Sequence, residues 1–249
     1  MTVRRSPLVA ADARRALPHP VGVGIRRSVD GQAPALWPEE AAHLGPNSAQ
    51  GRRFSFALGR AAARDALAEL GIAPTAIRRG PSGDPAWPDG IVGAISHTGD
   101  LAVAIVGRQS DYTGLGIDLE QLSPGLSLRA ARLVCTPSEM AWVGDAGGTH
   151  RGTMLFSAKE AVFKALFPIE RVWLGFGDAE LEWQPERCAF EARLLKSASS
   201  GYPSGAVLPV QCTLTDAEVL STTYALPRRA FERLPHLRTP ARSSSSSEL

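Results

Sequence analysis

Three short apolar runs crowd into one stretch of the chain: Ile91–Ser96, Leu101–Val106 and Leu115–Glu120. Only His97-Thr98-Gly99-Asp100 separates the first two, a gap that suits a hairpin turn. The middle of the chain is thereby committed to neighbouring antiparallel strands, and everything else must pack around them.

Upstream, Ser48 to Leu70 reads as a long helix, with Phe56, Ala63, Leu67 and Leu70 on one stripe and Gly71 as its stop. Residues 1–47 read as irregular, with one strand at Val21–Arg27, and 78–90 carry loop chemistry throughout. Downstream come helices at Leu128–Cys135 and Thr149–Phe167, the second closed by Pro168. Between them Thr136-Pro137-Ser138-Glu139 is a helix start with Thr as cap, Pro first and Glu third, followed by a loop from Asp145. Strands return at Ala179–Trp183, Ala189–Leu195, Val207–Leu214 and Val219–Leu226. This order predicts an α+β fold made of two similar halves, 1–112 and 113–237, followed by a disordered, serine-rich tail at 238–249. No sequence repeat is visible, so the duplication rests on element order alone.

Composition closes off several functions. A net charge of +2 over 249 residues is too weak to argue for nucleic acid. Cys135, Cys188 and Cys212 lie far apart, which disfavours a disulfide framework or a zinc site. No run has the length of a signal peptide's apolar core or a membrane span. A cytoplasmic protein is the default expectation, and the two-half length suggests a monomer.

Asp118 and Glu120 occupy alternate positions of a strand and so share a face. Two carboxylates that close repel unless a cation neutralises them, and Mg²⁺ takes such hard oxygen ligands together with substrate phosphates. The plain alternative is a solvated strand face. On the following helix Glu160 and Lys164 are four apart and share a face, with Lys159 beside them. Alone, that is an ordinary surface salt bridge. Together, three carboxylates and two lysines suit Mg²⁺ (or Mn²⁺) and a pyrophosphate. Arg53, Arg60 and Arg64 lie on one face of the Ser48–Leu70 helix, with Arg52 one step round. They make either a phosphate grip or a solvated basic face.

The run Gly116-Ile-Asp118-Leu-Glu120, followed about 40 residues later by Phe156-Ser-Ala-Lys159-Glu160-Ala-Val-Phe-Lys164, resembles the signature pair of the Sfp-type 4′-phosphopantetheinyl transferases. The loop Gly80-Pro81-Ser82-Gly-Asp84-Pro-Ala-Trp-Pro, then Gly93-Ala-Ile-Ser96-His97, and later Arg171-Val-Trp-Leu-Gly-Phe-Gly-Asp-Ala179, resemble the enterobactin-synthetase branch. The resemblance implies that family's fold, a pseudo-twofold pair of small, mostly antiparallel sheets, each packed with a long helix.

It implies Mg²⁺ on Asp118, Glu120 and Glu160, bridging the pyrophosphate of coenzyme A. A serine of an apo acyl, peptidyl or aryl carrier protein would attack the phosphorus nearer the pantetheine, releasing adenosine 3′,5′-bisphosphate. Lys164 would meet the growing phosphate charge, Lys159 would bind phosphate or steer its neighbour, and Glu139 would take the serine proton. Glu139 is equally explained as a capping-box residue. Arg52, Arg53, Arg60, Arg79, Gly80, Pro81, Ser82, Ser96 and His97 would surround the nucleotide, with Arg64 structural. Two positions depart from the family: Asp84 stands near where some members carry a lysine, and Phe156 where others carry Trp. The carrier would dock around Leu126–Val143, with Arg129 and Arg132 as contacts. A metal-dependent nuclease or phosphohydrolase, and a non-catalytic carrier-binding module, are the rival readings.

Overall fold

The protein is described by a computed structural model covering residues 7–144 and 149–227. The expected serine-rich tail and the loop from Asp145 lie outside the described residues.

The first half is built on β1 (Gly22–Arg27), α3 (Gln50–Glu69), β4 (Ile91–Thr98) and β5 (Leu101–Arg108). Short helices α1 (Ala10–Arg14) and α2 (Pro38–Ala41) interrupt the segment expected to be irregular, and β2 (Arg78–Arg79) pairs with β3 (Pro85–Ala86) inside the expected loop. The central hairpin is tighter than its sequence suggested. His97 pairs with Ala102 and Thr98 with Leu101, so only Gly99 and Asp100 turn the chain, and Gly99 takes a φ of 54°.

The second half comprises β6 (Gly114–Gln121), α4 (Leu128–Val134), α5 (Pro137–Val143), α6 (Thr149–Glu170) and the antiparallel strands β7 (Ala179–Gln184), β8 (Ala189–Leu194), β9 (Val207–Leu214) and β10 (Glu218–Ala225). Thr136 caps α5 as expected. Pro168 does not close α6: the helix runs on to Glu170 and ends at Arg171, whose φ is 58°. A proline near the last turn costs one hydrogen bond to the residue four earlier, and only two helical residues follow it.

The halves share a topology. Sheet order is β1-β5-β4 in one and β6-β10-β9-β8-β7 in the other: first strand, last strand, last but one, with two added strands in the second. They also share a packing device. A Cβ on Gly22 or Gly24 would sit 1.9 Å from the carbonyl oxygen of Ala66 or Ala62 on α3. On Gly114 or Gly116 it would sit 2.0 or 1.9 Å from that of Ala165 or Ala161 on α6. Gly-x-Gly on the first strand against Ala-x-x-x-Ala on the long helix therefore occurs twice in the same register, and it is the repeat that element order implied.

Burial follows strand alternation. Ala102, Ala104 and Val106 of β5 pack with Leu58, Ala62 and Leu67 of α3. Val103 and Ile105 point the other way and join Leu115, Ile117, Leu119 and Leu220 in a core between the two sheets. A third core lies under α6, around Leu155, Val162, Leu166, Phe190 and Val210. The layers are helix, sheet, sheet, helix, and β4 lies alongside β6 at the junction, where the Leu119 amide donates to Ser96 Oγ at 3.2 Å. Among the described residues no helix is long and apolar enough to cross a membrane.

Candidate active site

The glycines of β6 let α6 approach closely, and this brings chemistry together. With Leu115, Ile117 and Leu119 turned to the inter-sheet core, Asp118 and Glu120 face α6, where Glu160 and Lys164 lie one turn apart. Lys164 Nζ donates to Asp118 Oδ1 at 2.6 Å and to Ser96 Oγ at 3.1 Å, and Ser96 in turn donates to the same Asp118 oxygen at 2.9 Å. Asp118 is 2% exposed, and its Oδ2 is buried without a hydrogen-bond partner. Burial, reinforced by Asp118 and Glu160 against Lys164, pushes the Glu120 carboxyl up to about 7. Glu160 is also raised, by burial first, with Lys164 opposing and Asp118 adding.

The sequence pointed to Asp118, Glu120 and Glu160 as three carboxylates sharing a metal. Among the described residues no three His, Cys, Asp or Glu side chains already form a ligand cluster. The reason is local: Lys164 already holds one oxygen of Asp118, and unscreened carboxylates do not converge. The donors nevertheless fit a hard divalent cation in chemistry. A buried carboxylate oxygen lacks a partner, and two neighbouring carboxyls are raised by burial first and by the charge of Asp118.

A cleft of about 410 Å³ lies between α3 and β4, with Arg52, Arg60, Arg79 and His97 on its walls. Arg60 is buried, stacks its guanidinium over the Phe56 ring at 4.3 Å, and leaves Nε without a partner. Burial, opposed by Glu40 and aided by Arg79 and Arg64, lowers it to about 10. An anion in the cleft would relieve that cost. His97 is lowered as well, by desolvation first and Lys164 second. His43 also lines the cleft and went unnoticed in the sequence because it belongs to no motif.

Other expected contacts lie elsewhere. Arg53 donates to the Gly45 carbonyl at 3.3 Å and does not line the cleft. Arg64 is held by the buried Glu40 at 2.7 Å and sits over Trp37. Ser96 is buried on Asp118, so it orients the carboxylate instead of facing a nucleotide. Ser82 is exposed, while Gly80 and Pro81 border a separate groove with Trp87 and Arg171. The departing Asp84 accepts from Arg171 at 2.7 Å, joining the Gly80–Asp84 turn to the end of α6.

Lys159 and Glu139 correct the sequence reading most. Both are buried and paired to each other at 2.7 Å, and Glu139 accepts the Thr136 and Leu181 amides at 2.7 Å each. Neither has a hydrogen-bonding atom left over for substrate, although the Lys159 side chain is part of the wall of the pocket beside Glu160. Beside Glu160 a smaller, apolar pocket of about 210 Å³, lined by Phe163, Trp173, Leu174 and Phe176, was not foreseen. Arg129, Arg132, Leu128 and Leu133 are all exposed on α4.

Residues 38–107 match the 4′-phosphopantetheinyl transferase N-terminal domain, and 114–207 match the 4′-phosphopantetheinyl transferase superfamily. The chain is 41% identical over 164 residues to the 4′-phosphopantetheinyl transferase Svp of Streptomyces mobaraensis, covering 64% of this chain and 66% of that one, just under two thirds. It is 37% identical over 160 residues to the 4′-phosphopantetheinyl transferase PptT of Mycobacterium tuberculosis, covering 64% and 70%. Against enterobactin synthase component D of Escherichia coli it is 36% identical over 137 residues, covering 52% and 62%. The narrower Sfp-type label rests on the motifs alone. Fold, motifs and relatives agree: this chain belongs to the 4′-phosphopantetheinyl transferase family.

Proposed function

We propose that the protein transfers the 4′-phosphopantetheine arm of coenzyme A to a serine hydroxyl of an apo carrier protein. The observation that carries this is the junction of β4, β6 and α6, where Asp118 with its unpartnered oxygen, Glu120, Glu160 and Lys164 adjoin a cationic cleft. Mg²⁺, or Mn²⁺, held by Asp118, Glu120 and Glu160 would neutralise pyrophosphate charge and polarise its oxygens. Arg52, Arg60, Arg79 and His97 bind the nucleotide phosphates, and the half-buried His43 adds to that wall. The apolar pocket beside Glu160 accepts the pantetheine arm.

The serine oxygen attacks the phosphorus nearer the pantetheine. The bond from that phosphorus to the bridging oxygen breaks, and adenosine 3′,5′-bisphosphate leaves. Lys164 donates to the oxygens on which charge grows. With both oxygens of Glu139 engaged, the serine proton falls to Glu160, whose raised carboxyl borders the pocket. The exposed face of α4, with Leu128, Arg129, Arg132 and Leu133, suits an acidic carrier. Carriers of polyketide, nonribosomal peptide or siderophore assembly are the proposed substrates, and the likeness to an enterobactin synthase component supports the siderophore case. The enzyme acts as a cytoplasmic monomer.

The test is the mass of an apo carrier after incubation with the protein, coenzyme A and Mg²⁺. A gain of one phosphopantetheine, abolished by EDTA, is expected. Cleavage of coenzyme A without transfer would favour the phosphohydrolase reading, and binding without a mass gain the docking-module reading.

A further inference from the structure

Lys159 is 4% exposed and Glu139 2%, an unusual degree of burial for two charged residues so near a site open to solvent. Besides Glu139, the Lys159 ammonium donates to the main-chain oxygens of Val134 at 3.0 Å, Phe176 at 2.6 Å and Ala179 at 3.0 Å. Its three protons are shared among four acceptors, which leaves none for a ligand. Glu139 spends Oε1 on the Leu181 amide and Oε2 on the Thr136 amide and the lysine.

One buried node therefore joins the last turn of α4, the cap of α5, the turn at Phe176–Asp178, β7 and α6. Its grip on α6 falls one residue before Glu160. What it grips is the arm bearing Leu128, Arg132 and Leu133, and the turn whose Phe176 lines the pocket beside Glu160. Desolvation offsets much of the Coulomb gain of a buried ion pair, so such a pair is a poor source of net stability. Its directional bonds to five main-chain groups do something apolar residues cannot: they fix where separate segments stop relative to one another.

We propose that Lys159 and Glu139 form a positioning pair, which sets Glu160 and fastens the α4–α5 arm and the Phe176 turn to it. Neither residue grips phosphate or takes the serine proton. The proposal rests on the transferase reading for its kinetic consequences, and on geometry for the rest.

The experiment compares the wild type with Glu139→Gln, Lys159→Met and the double variant. Turnover is measured at saturating and limiting carrier. Mn²⁺ binding is measured separately by electron paramagnetic resonance, without coenzyme or carrier. Glu139→Gln keeps one acceptor oxygen, for the Leu181 amide or for the Thr136 amide and the lysine, and turns its NH2 group toward the other donors. With no proton transfer lost, kcat should stay within about tenfold of wild type, where loss of a general base costs about 10²–10⁴. Lys159→Met strands the Glu139 carboxylate, so kcat and Mn²⁺ affinity should fall and KM for the carrier should rise. The double variant removes the stranded charge and should recover toward Glu139→Gln in kcat and in Mn²⁺ affinity.

If Lys159 bound phosphate and Glu139 were the base, the double variant would be at least as slow as the slower single. That order, or a loss of about 10² or more in Glu139→Gln, overturns the proposal. Should Lys159→Met fail to fold, Glu139→Gln decides alone: near-normal turnover and Mn²⁺ affinity support the pair, and collapse of turnover overturns it. A wild type that modifies no carrier would sink the transferase reading instead, and the Mn²⁺ titrations would still judge the pair.

Discussion

Asp118 concentrates the electrostatics of the site in one side chain: one oxygen is claimed by Lys164 and Ser96, and the other is buried and unpartnered. Its neighbour Glu120, raised from 4.5 to about 7, sets a pH dependence. A divalent ion needs the carboxylate, so Mn²⁺ or Mg²⁺ affinity should rise as pH climbs through about 7 and level off above it, with proton release that calorimetry in buffers of different ionisation heat will register. Stability of the EDTA-treated protein should run the opposite way. A raised acid binds its proton more tightly folded than unfolded, so its contribution is present at low pH and is lost as pH rises from the ordinary carboxylate range through about 7. Lys164→Ala should lower kcat by about 10²–10³, the usual loss for one preorganised donor, with less effect on KM for coenzyme A in steady-state assays. Strand alternation alone made the pairing of Asp118 and Glu120 legible. The inward turn of Lys159 was legible too, since it falls on the Leu155, Val162 and Leu166 stripe, but a lysine beside a glutamate reads more readily as a ligand than as a core residue. The satisfaction of Glu139 by the Leu181 amide links residues 42 apart, and no local pattern encodes that.

At the scale of elements, the decisive contact is a bare strand against a bare helix. Gly116→Ala would push a methyl to 1.9 Å from the Ala161 carbonyl oxygen, a backbone atom that cannot swing aside. Overpacking of this kind costs about 1–3 kcal/mol, so thermal denaturation should show a clear loss. Because β6 also carries Asp118 and Glu120, activity should fall further than the lost folded fraction explains. Helices and strands were legible to within a residue or two wherever periodicity was strong, as at Val207–Leu214. The repeat was harder to see, because what the halves share is small residues. Gly22-Val-Gly24-Ile and Gly114-Leu-Gly116-Ile match in the sequence, but their meaning depends on the alanines they meet 38 to 51 residues later on the long helices.

At the scale of the molecule, two bridges tie the halves at places remote from the inter-sheet core. Arg27 reaches Glu218 at 2.6 Å, and Arg171 reaches Asp84 at 2.7 Å. The second fixes the turn behind Arg79, whose guanidinium lines the cationic cleft. Asp84→Ala or Arg171→Ala should therefore raise KM for coenzyme A with kcat nearly unchanged, and the charge-exchanged double variant should recover part of the loss. The register of the two Gly-x-Gly strands also aligns Arg26 with Asp118 and Asp65 with Lys164. Arg26 and Asp65 form an ion pair too, bidentate and with the charges exchanged, its longer contact 2.7 Å. A fixed guanidinium occupies in the first half the place a carboxylate occupies in the second. The molecule thus has twofold architecture but unpaired chemistry: binding should saturate at one equivalent of coenzyme per chain, with a single-site isotherm and no cooperativity.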